Sequence, residues 1–376
     1  MTLRRPLRRS LRRPLRLKRL GLLAAGLVCI SGVLAAPCAA ETALTADGGA
    51  PLPPCKGNLC GFHNPEDMAA LAGTPWIVIS QQDDENPANG LILLNTATGT
   101  RLPVVMPAAR GACTGGRGGG IGIRAEKHGF RLQRIVHGQT DLVETWRLTP
   151  SGHSIKAQRQ ACVPAPAELF LNDIAPLADS GFVATHMFDR SLPKTQLQTM
   201  FLAGQPTGVL MRWSARSGWA PIAGSQGTFL NGIDVSPDGR WIAFAETYGH
   251  AINRIRPDGS GRSRIVLAMQ PDNVTALGDG RFVVVGGTGA PMASTHNCAL
   301  LGQAGCAFAA AALLIDFNQQ RQSLLVQSAG QETPGFSVGL VADRALWLGT
   351  SFGDRVTKVS LPKGWDKTGA AVAKLR

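Results

Sequence analysis

The chain contains no Cys-x-x-Cys pair, and none of its seven histidines stands at zinc-finger spacing, so a structural zinc site has no ligand set. Residues 1–40 contain no Asp or Glu but nine Lys or Arg, which leaves a formal charge of only +4, out of a total of +13, for the remainder. The basic face of a nucleic-acid binder is therefore absent outside that segment, and no nucleic-acid partner is expected. The glycine-rich run 115–122 (GGRGGGIG) lacks the Lys-Ser/Thr of a phosphate-binding loop, and no helical pattern follows it. It reads as a loop feeding a tight strand. Gly335-Phe336-Ser337-Val338-Gly339 fits the nucleophile-elbow pattern, but no histidine follows Ser337, the last being His296. Residues 340–350 read as a continuing strand where that hydrolase fold places a helix, so the match is discounted.

What is present begins with an export signal. The basic residues precede an apolar run at 20–36, and Cys38-Ala39-Ala40 before Glu41 offers a small-residue cleavage site. Two readings stand: a signal peptide, residues 1–40, cleaved after Ala40, or a single membrane anchor with its basic end cytoplasmic. Either exports the remainder, to the periplasm or beyond the cell, and membrane association is expected only in the second case. Six cysteines lie beyond Ala40. An even number in an exported chain favours disulfides, and the expected pairs are Cys55 with Cys60, Cys113 with Cys162, and Cys298 with Cys306. The second closes the longest loop and is worth about 4 kcal/mol by loop entropy.

With 45 glycines and 24 prolines the chain suits many short strands. The stretch FLNGIDVSPDGRWIAFAE, residues 229–246, shows the unit: two apolar β-type runs joined by Ser236-Pro237-Asp238-Gly239, a turn in which Pro237 presets φ and Gly239 takes positive φ. Glu66, Ile121, Asn172, Asn231, Asp272 and Ser337 hold equivalent positions at intervals of 55, 51, 59, 41 and 65 residues. That is a propeller-blade period with insertions. The expected fold is all-β: a six-bladed β-propeller of four-stranded blades around a central channel, residues 66–376, preceded by an extended segment, 41–65. Insertions at 190–206 and 289–311 read either as lids on the binding face or as tolerated surface loops.

Inner strands of a propeller start around one channel, so polar residues at those starts converge. Glu66, Asn172, Asn231, Asp272 and Asn273 would supply two carboxylates and three carboxamides, hard oxygen ligands of the kind calcium takes. Strand and turn capping is the competing role for each alone. Asp67 and Asp173, one position further along, could hold a second calcium with a backbone carbonyl. His137, His186 and His250 end or follow comparable strands and suggest a pocket rim, although a single strand-end histidine is more often structural.

These residues carry a resemblance. The segments LNDIAPL…GFVATH, FLNGIDVSPDGRWIAFAE and DNVTAL…GDGRFVVVGG, in that order, resemble the calcium-dependent lactonases and arylesterases of the paraoxonase and gluconolactonase-like group, from about Glu66 to Leu361. The resemblance implies a catalytic calcium on Glu66, Asn172, Asn231, Asp272 and Asn273. It implies a structural calcium on Asp67, Asp173 and the carbonyl of Ile121. It also implies that the second histidine of blade two is kept as His137, the family's presumed base being the first, and that His137 or a metal-bound water would activate the nucleophile. Where paraoxonases begin blade two with His-Gly-Ile, this chain has Gly119-Gly120-Ile121, and a further pocket histidine is replaced near Thr288. The function expected is hydrolysis of small lactones or aryl esters with calcium polarising the carbonyl. The alternative is a non-catalytic, calcium-stabilised propeller that binds a small molecule or a protein.

Overall fold

A computed structural model describes residues 50–51, 55, 59–82, 90–104, 116–151, 154–289, 306–329, 335–361, 365 and 373–374. The expected signal peptide, Cys113, Cys298, and most of the 289–311 insertion lie outside these residues. The fold is all-β, with six blades in a ring. Blade one pairs Pro65–Ala70, Trp76–Gln81, Leu91–Asn95 and Arg101–Pro103 in chain order, innermost first. Blades two, three and four repeat the plan, their inner strands being Arg117–Glu126, Leu169–Pro176 and Leu230–Val235. Blade five starts at Gln270–Gly278 and carries Ala373–Lys374 as an added parallel edge strand. Blade six runs Val338–Ala342, Ala345–Gly349 and Arg355–Ser360, and its outermost strand is Leu59–Cys60 from the other end of the sequence. The segment before Glu66 therefore supplies the strand that closes the ring, and Cys55 pairs with Cys60 beside it, their Cα atoms 6.3 Å apart.

Strand alternation explains why the blades stack. In Trp76–Gln81, Trp76 and Val78 face blade two while Ile77 and Ile79 face blade six. Successive side chains of one strand point to opposite faces, and both faces of a blade are covered by neighbours. The run Trp76-Ile77-Val78-Ile79 is accordingly apolar throughout and buried throughout. The core divides into six clusters among the described residues, one at each blade-to-blade interface.

Turns follow the expected chemistry with one exception. Gly239 has φ 71°, and Ser236 Oγ donates to Asp238 Oδ1 at 2.6 Å, closing the Pro-Asp-Gly turn. Residues 340–350, expected to continue as one strand, instead form a hairpin that turns at Asp343-Arg344, both at positive φ without a glycine. The first strand of this hairpin follows Ser337 directly, so the elbow geometry is absent, and Ser337 Oγ donates to the Glu66 carbonyl at 2.8 Å. Arg117 to Gly120, expected as loop, are strand. Gly120 is required there by space: a Cβ on it would lie 2.2 Å from Asp173 Oδ1 and 2.6 Å from the Asp173 Cα. The insertion at 190–206 contains the helix Lys194–Leu202, which packs through Leu197 and Phe201. Among the described residues no helix is long and apolar enough to cross a membrane.

Adjacent inner strands are clasped by aspartates. Asp67 accepts the N–H of Met68 and of Ile121 in blade two, each at 2.7 Å. Asp173 does the same with Ile174 and with Ile233 in blade four, and Asp234 with Val235 and with Ala276 in blade five. Burial pushes Asp234 up from 3.8 to about 6, against the pull of the Ala276 and Val235 N–H groups. A carboxyl that holds its proton more tightly folded than unfolded stabilises the fold at acid pH and loses that contribution as pH rises through its folded value. Relative to Asp234→Asn, the wild type should lose up to about 3 kcal/mol between about pH 4 and pH 6. Urea titration of both proteins across that range checks this; a stability difference that does not vary with pH counts against a burial-raised carboxyl at Asp234.

Cys162 is disulfide-bonded, with its expected partner Cys113 outside the described residues. Alkylation under native conditions followed by peptide mapping should find neither thiol free, and finding both alkylated would remove the long-loop disulfide.

Candidate active site

The polar centre is made by β-bulges. Pairing between the first two strands skips a residue between Pro65 and Asp67, Gly118 and Ile121, Leu171 and Ile174, Leu230 and Ile233, and Pro271 and Val274. Each of blades one to five thus gains one residue where its inner strand begins. A bulge frees side chains from the ladder and re-aims them. Glu66, Asn172, Asp173, Asn231, Asp272 and Asn273 all sit inside these bulges.

Glu66, Asn231, Asp272 and Asn273 form one connected group. Asn273 Nδ2 donates to Glu66 Oε1 at 3.2 Å and lies 3.3 Å from the Glu66 carbonyl. Asn231 hydrogen-bonds Asp272 and donates to Thr247 Oγ1 at 3.1 Å. The Thr185 hydroxyl accepts the Asp173 N–H at 3.0 Å and donates to the Asn231 carbonyl at 2.6 Å, tying the Asn172 bulge to the Asn231 bulge. Four acceptor atoms in this set are buried without a donor: Glu66 Oε2, Asn172 Oδ1, Asn231 Oδ1 and Asn273 Oδ1. Buried acceptors are seldom left unpaired, and four converging from four blades form an oxygen cradle without a proton to fill it. Burial raises the Glu66 carboxyl, opposed by the bond from Asn273 and by nearby His137 and Arg117. Burial and the neighbouring Glu66 and Asp67 charges hold Asp272 well above the ordinary range. The described residues hold no cluster of three or more His, Cys, Asp or Glu suited to a metal. Three of the five side chains here are carboxamides, and the oxygen-only donor set fits a hard divalent cation such as calcium.

Asp67, Asp173 and Asp234 form a second layer further along the same strands. They line a cavity of about 460 Å³ with Ile121, Ile233, Val274 and Leu340. Burial raises Asp67 and Asp173 well above their ordinary values; the Glu66 and Asp234 charges add to the rise of Asp67, and the Asp67 and Glu66 charges to that of Asp173. Both oxygens of each already accept a backbone N–H, so this layer differs in kind from the first. Ile121 enters it through its N–H, held by Asp67 Oδ2.

The three histidines separate. His137 ends the second strand of blade two, opposite Arg117, and so stands at the channel end where the bulges open. Its Nδ1 lies 3.0 Å from Asp141 Oδ1. Asp141 has no exposure and accepts the Leu171 N–H at 2.8 Å; burial works to raise it, and bonds from His137, Arg190 and Leu171 outweigh burial and lower it. His137 Nε2 lies 2.7 Å from where a Cβ on Gly119 would sit, so the imidazole fills the space a side chain at 119 would take. His186 is buried with its Nδ1 unpartnered, and burial lowers its pKa. His250, at positive φ, is tied to the Met269 carbonyl at 3.1 Å, a structural arrangement.

Sequence reasoning did not find Asp141, Arg190 or Thr185. Nor did it find the aromatic row beside the site: His137 stacks on Phe170 at 5.3 Å, and Phe170 on Phe188 at 4.6 Å. Phe201 of the inserted helix then meets Phe229 at 4.8 Å and Tyr248 at 5.2 Å. A signal was available: Phe170 and Phe229 each stand two residues before a site asparagine. The insertion is therefore packed against the channel face through Phe201.

Known structures share this architecture. The chain is similar to a luciferin-regenerating enzyme at 12% identity, with a TM-score of 0.52, covering 80% of this chain and 92% of that one. It is similar to a gluconolactonase from Xanthomonas campestris at 15% identity and TM-score 0.50, covering 84% and 99% respectively. It is also similar to a protein of unknown function from Bacteroides thetaiotaomicron at 13% identity and TM-score 0.51, covering 84% and 72%. Likeness at this identity establishes the fold. No family model and no curated protein sequence matches the chain.

A cation that meets the orphaned acceptors should raise the melting temperature by mass action. Calcium added to chelator-treated protein should shift the melt upward by several degrees, and Glu66→Gln, which removes a charge from the cradle, should shift less. Superimposable melts with and without calcium would mean that the cradle takes no ion.

Proposed function

We propose that this chain is an exported hydrolase of lactones or aryl esters that works with one bound calcium ion. The observation that carries the reading is the set of four buried, donorless oxygens from the inner-strand bulges of four blades, with His137 near enough to Glu66 to lower its carboxyl. Glu66, Asn172, Asn231, Asp272 and Asn273 would hold the ion. When bound, calcium supplies Lewis-acid polarisation of an ester carbonyl and a countercharge for the oxyanion. The chain's own residues do the rest. His137 Nε2, with Nδ1 engaged by Asp141, is placed to take a proton from an attacking water. The Phe170, Phe188, Phe201 and Phe229 rings flank the site with apolar surface, which favours a substrate with an apolar or aryl part. The proposal extends to one ion, because neither Asp67 nor Asp173 has an oxygen without a donor. Export is supported by the basic and apolar segments of residues 1–40. The fold shared with a gluconolactonase is compatible with lactone chemistry.

The test is a panel of five- and six-membered lactones and phenyl acetate, with calcium saturating and with excess chelator. Wild type should turn over at least one of them only with calcium. Asn231→Ala and Asp272→Ala should abolish turnover, whereas His137→Ala should leave a remnant about 10²–10⁴-fold lower. Unchanged turnover in Asn231→Ala and Asp272→Ala would overturn the metal's role. A wild type that binds calcium but hydrolyses none of the panel would point to a binding propeller.

A further inference from the structure

Gly119 leaves the site with one histidine at its edge, and the surroundings of that histidine are unusually determined. We propose that Asp141 and Arg190 form a positioning pair that fixes His137 in the tautomer with Nδ1 protonated and Nε2 bare. In this arrangement His137 serves as the base of the site among the described residues. The inference rests on the hydrolase reading for its catalytic consequence and on geometry alone for the tautomer.

Each degree of freedom of the imidazole has a restraint. Asp141 Oδ1, 3.0 Å from Nδ1, can only accept, so Nδ1 carries the proton and Nε2 is left as an acceptor. Asp141 cannot rotate away, because its other oxygen holds the Leu171 N–H at 2.8 Å, one residue before Asn172. The ring plane is set by Phe170, stacked at 5.3 Å with 17° between planes. Arg190 closes the arrangement from the far side. Its Nη2 shares Asp141 Oδ1, its Nε donates to the Leu169 carbonyl at 2.8 Å, and its Nη1 donates to the Gly138 carbonyl at 3.2 Å. Its guanidinium lies 4.7 Å from the centre of the Phe170 ring, on which His137 also stacks.

A carboxylate with no exposure would be costly alone, and Arg190 supplies the countercharge for Asp141. The other charged groups near the imidazole are Glu66 and Arg117. Room for Nε2 comes from Gly119: even alanine there would place its Cβ 2.7 Å from Nε2 and 3.3 Å from Cδ2. Strand neighbours enclose the methyl position on the other side, with Ile135 Cγ2 at 3.4 Å. A side chain at 119 and this pose of His137 therefore exclude each other.

The experiment is nitrogen-15 NMR of the histidine rings in wild type, Asp141→Ala, Arg190→Gln and Gly119→Ala. Each is measured calcium-free and calcium-loaded, alongside steady-state kinetics on any lactone the wild type hydrolyses. Wild-type His137 should show a protonated Nδ1 and a bare Nε2 in both states. Asp141→Ala should give a mixture of tautomers, with kcat lower by about 10²-fold or more and KM and calcium content nearly unchanged. Gly119→Ala, which leaves the Asp141–Arg190 ion pair in place but displaces the imidazole, should shift the Nε2 resonance and lower kcat, and it serves if Asp141→Ala does not fold. The pair is overturned if wild-type His137 is protonated at Nε2, or if its tautomer is the same with and without Asp141. The expected spectra in a wild type that hydrolyses nothing would support the positioning pair while removing the hydrolase reading.

Discussion

The extra residue at the start of each of five inner strands is the constraint on which the polar centre depends. A regular ladder would send alternate side chains into the two blade interfaces, where only apolar groups are stable. With one residue added, polar side chains in four of the five bulges (Glu66, Asn172-Asp173, Asn231 and Asp272-Asn273) leave the regular ladder, which resumes two or three residues later. The bulges of blades two and four end at Ile121 and Ile233, whose N–H groups are accepted at 2.7 Å by Asp67 and Asp173 of the preceding blades. Site and scaffold are thus one device: the local disorder in pairing that exposes Asn172 also creates the donor that anchors its neighbour.

The fold was legible because blade interfaces and turns leave local marks. Trp76-Ile77-Val78-Ile79 and Ile242-Ala243-Phe244-Ala245 are apolar on both faces, and Pro237-Asp238-Gly239 announces its turn within four residues. Glu66, Asn172, Asn231 and Asp272 could be aligned from sequence because each stands just before such a run. The positioning residues left no comparable mark. Asp141 looks like a loop aspartate in Gly138-Gln139-Thr140-Asp141, and its meaning comes from Leu171 and Arg190, thirty and forty-nine residues away. Asp234 belongs with Asp67 and Asp173, but it follows Asn231 by three residues, where Asp67 follows Glu66 and Asp173 follows Asn172 by one. The hairpin at Asp343-Arg344 adopts a glycine conformation without glycine, so no turn signal exists to read. Leu59–Cys60 is too short for any periodicity.

The centre is electrostatically costly as built. Glu66, Asp67, Asp173 and Asp272 are buried close enough that several raise one another, and the carboxamides present further oxygen rather than N–H to the same space. Ordinary folding stability does not select such an arrangement, since each uncompensated buried acceptor costs about 1–3 kcal/mol. Positive charge is available nearby in Arg117 and Arg190, yet Arg190 is committed to Asp141. Around His137 the opposite principle holds: every polar atom of Asp141 is used. Satisfied surroundings hold the imidazole in place, and unsatisfied surroundings leave the oxygens of the cradle without donors; the two lie close together, His137 near enough to lower the Glu66 carboxyl.

Closure of the ring by Leu59–Cys60 imposes an order in time. Leu59 pairs with Val356 and Cys60 with Arg355, so the first strand of the propeller to be synthesised finds its partner only after nearly the whole chain has emerged. Blades one to five can assemble as local hairpins in sequence, each resting on the previous one. Blade six cannot. Until its fourth strand arrives it presents an open edge, and the loop to be closed is among the longest the chain contains, which makes this contact the slow one. The polar centre joins blade five to blade one across that same seam, Asn273 Nδ2 donating to Glu66. The cradle is therefore complete only when the two ends of the polypeptide have met, so chemistry at the centre reports on integrity at the rim.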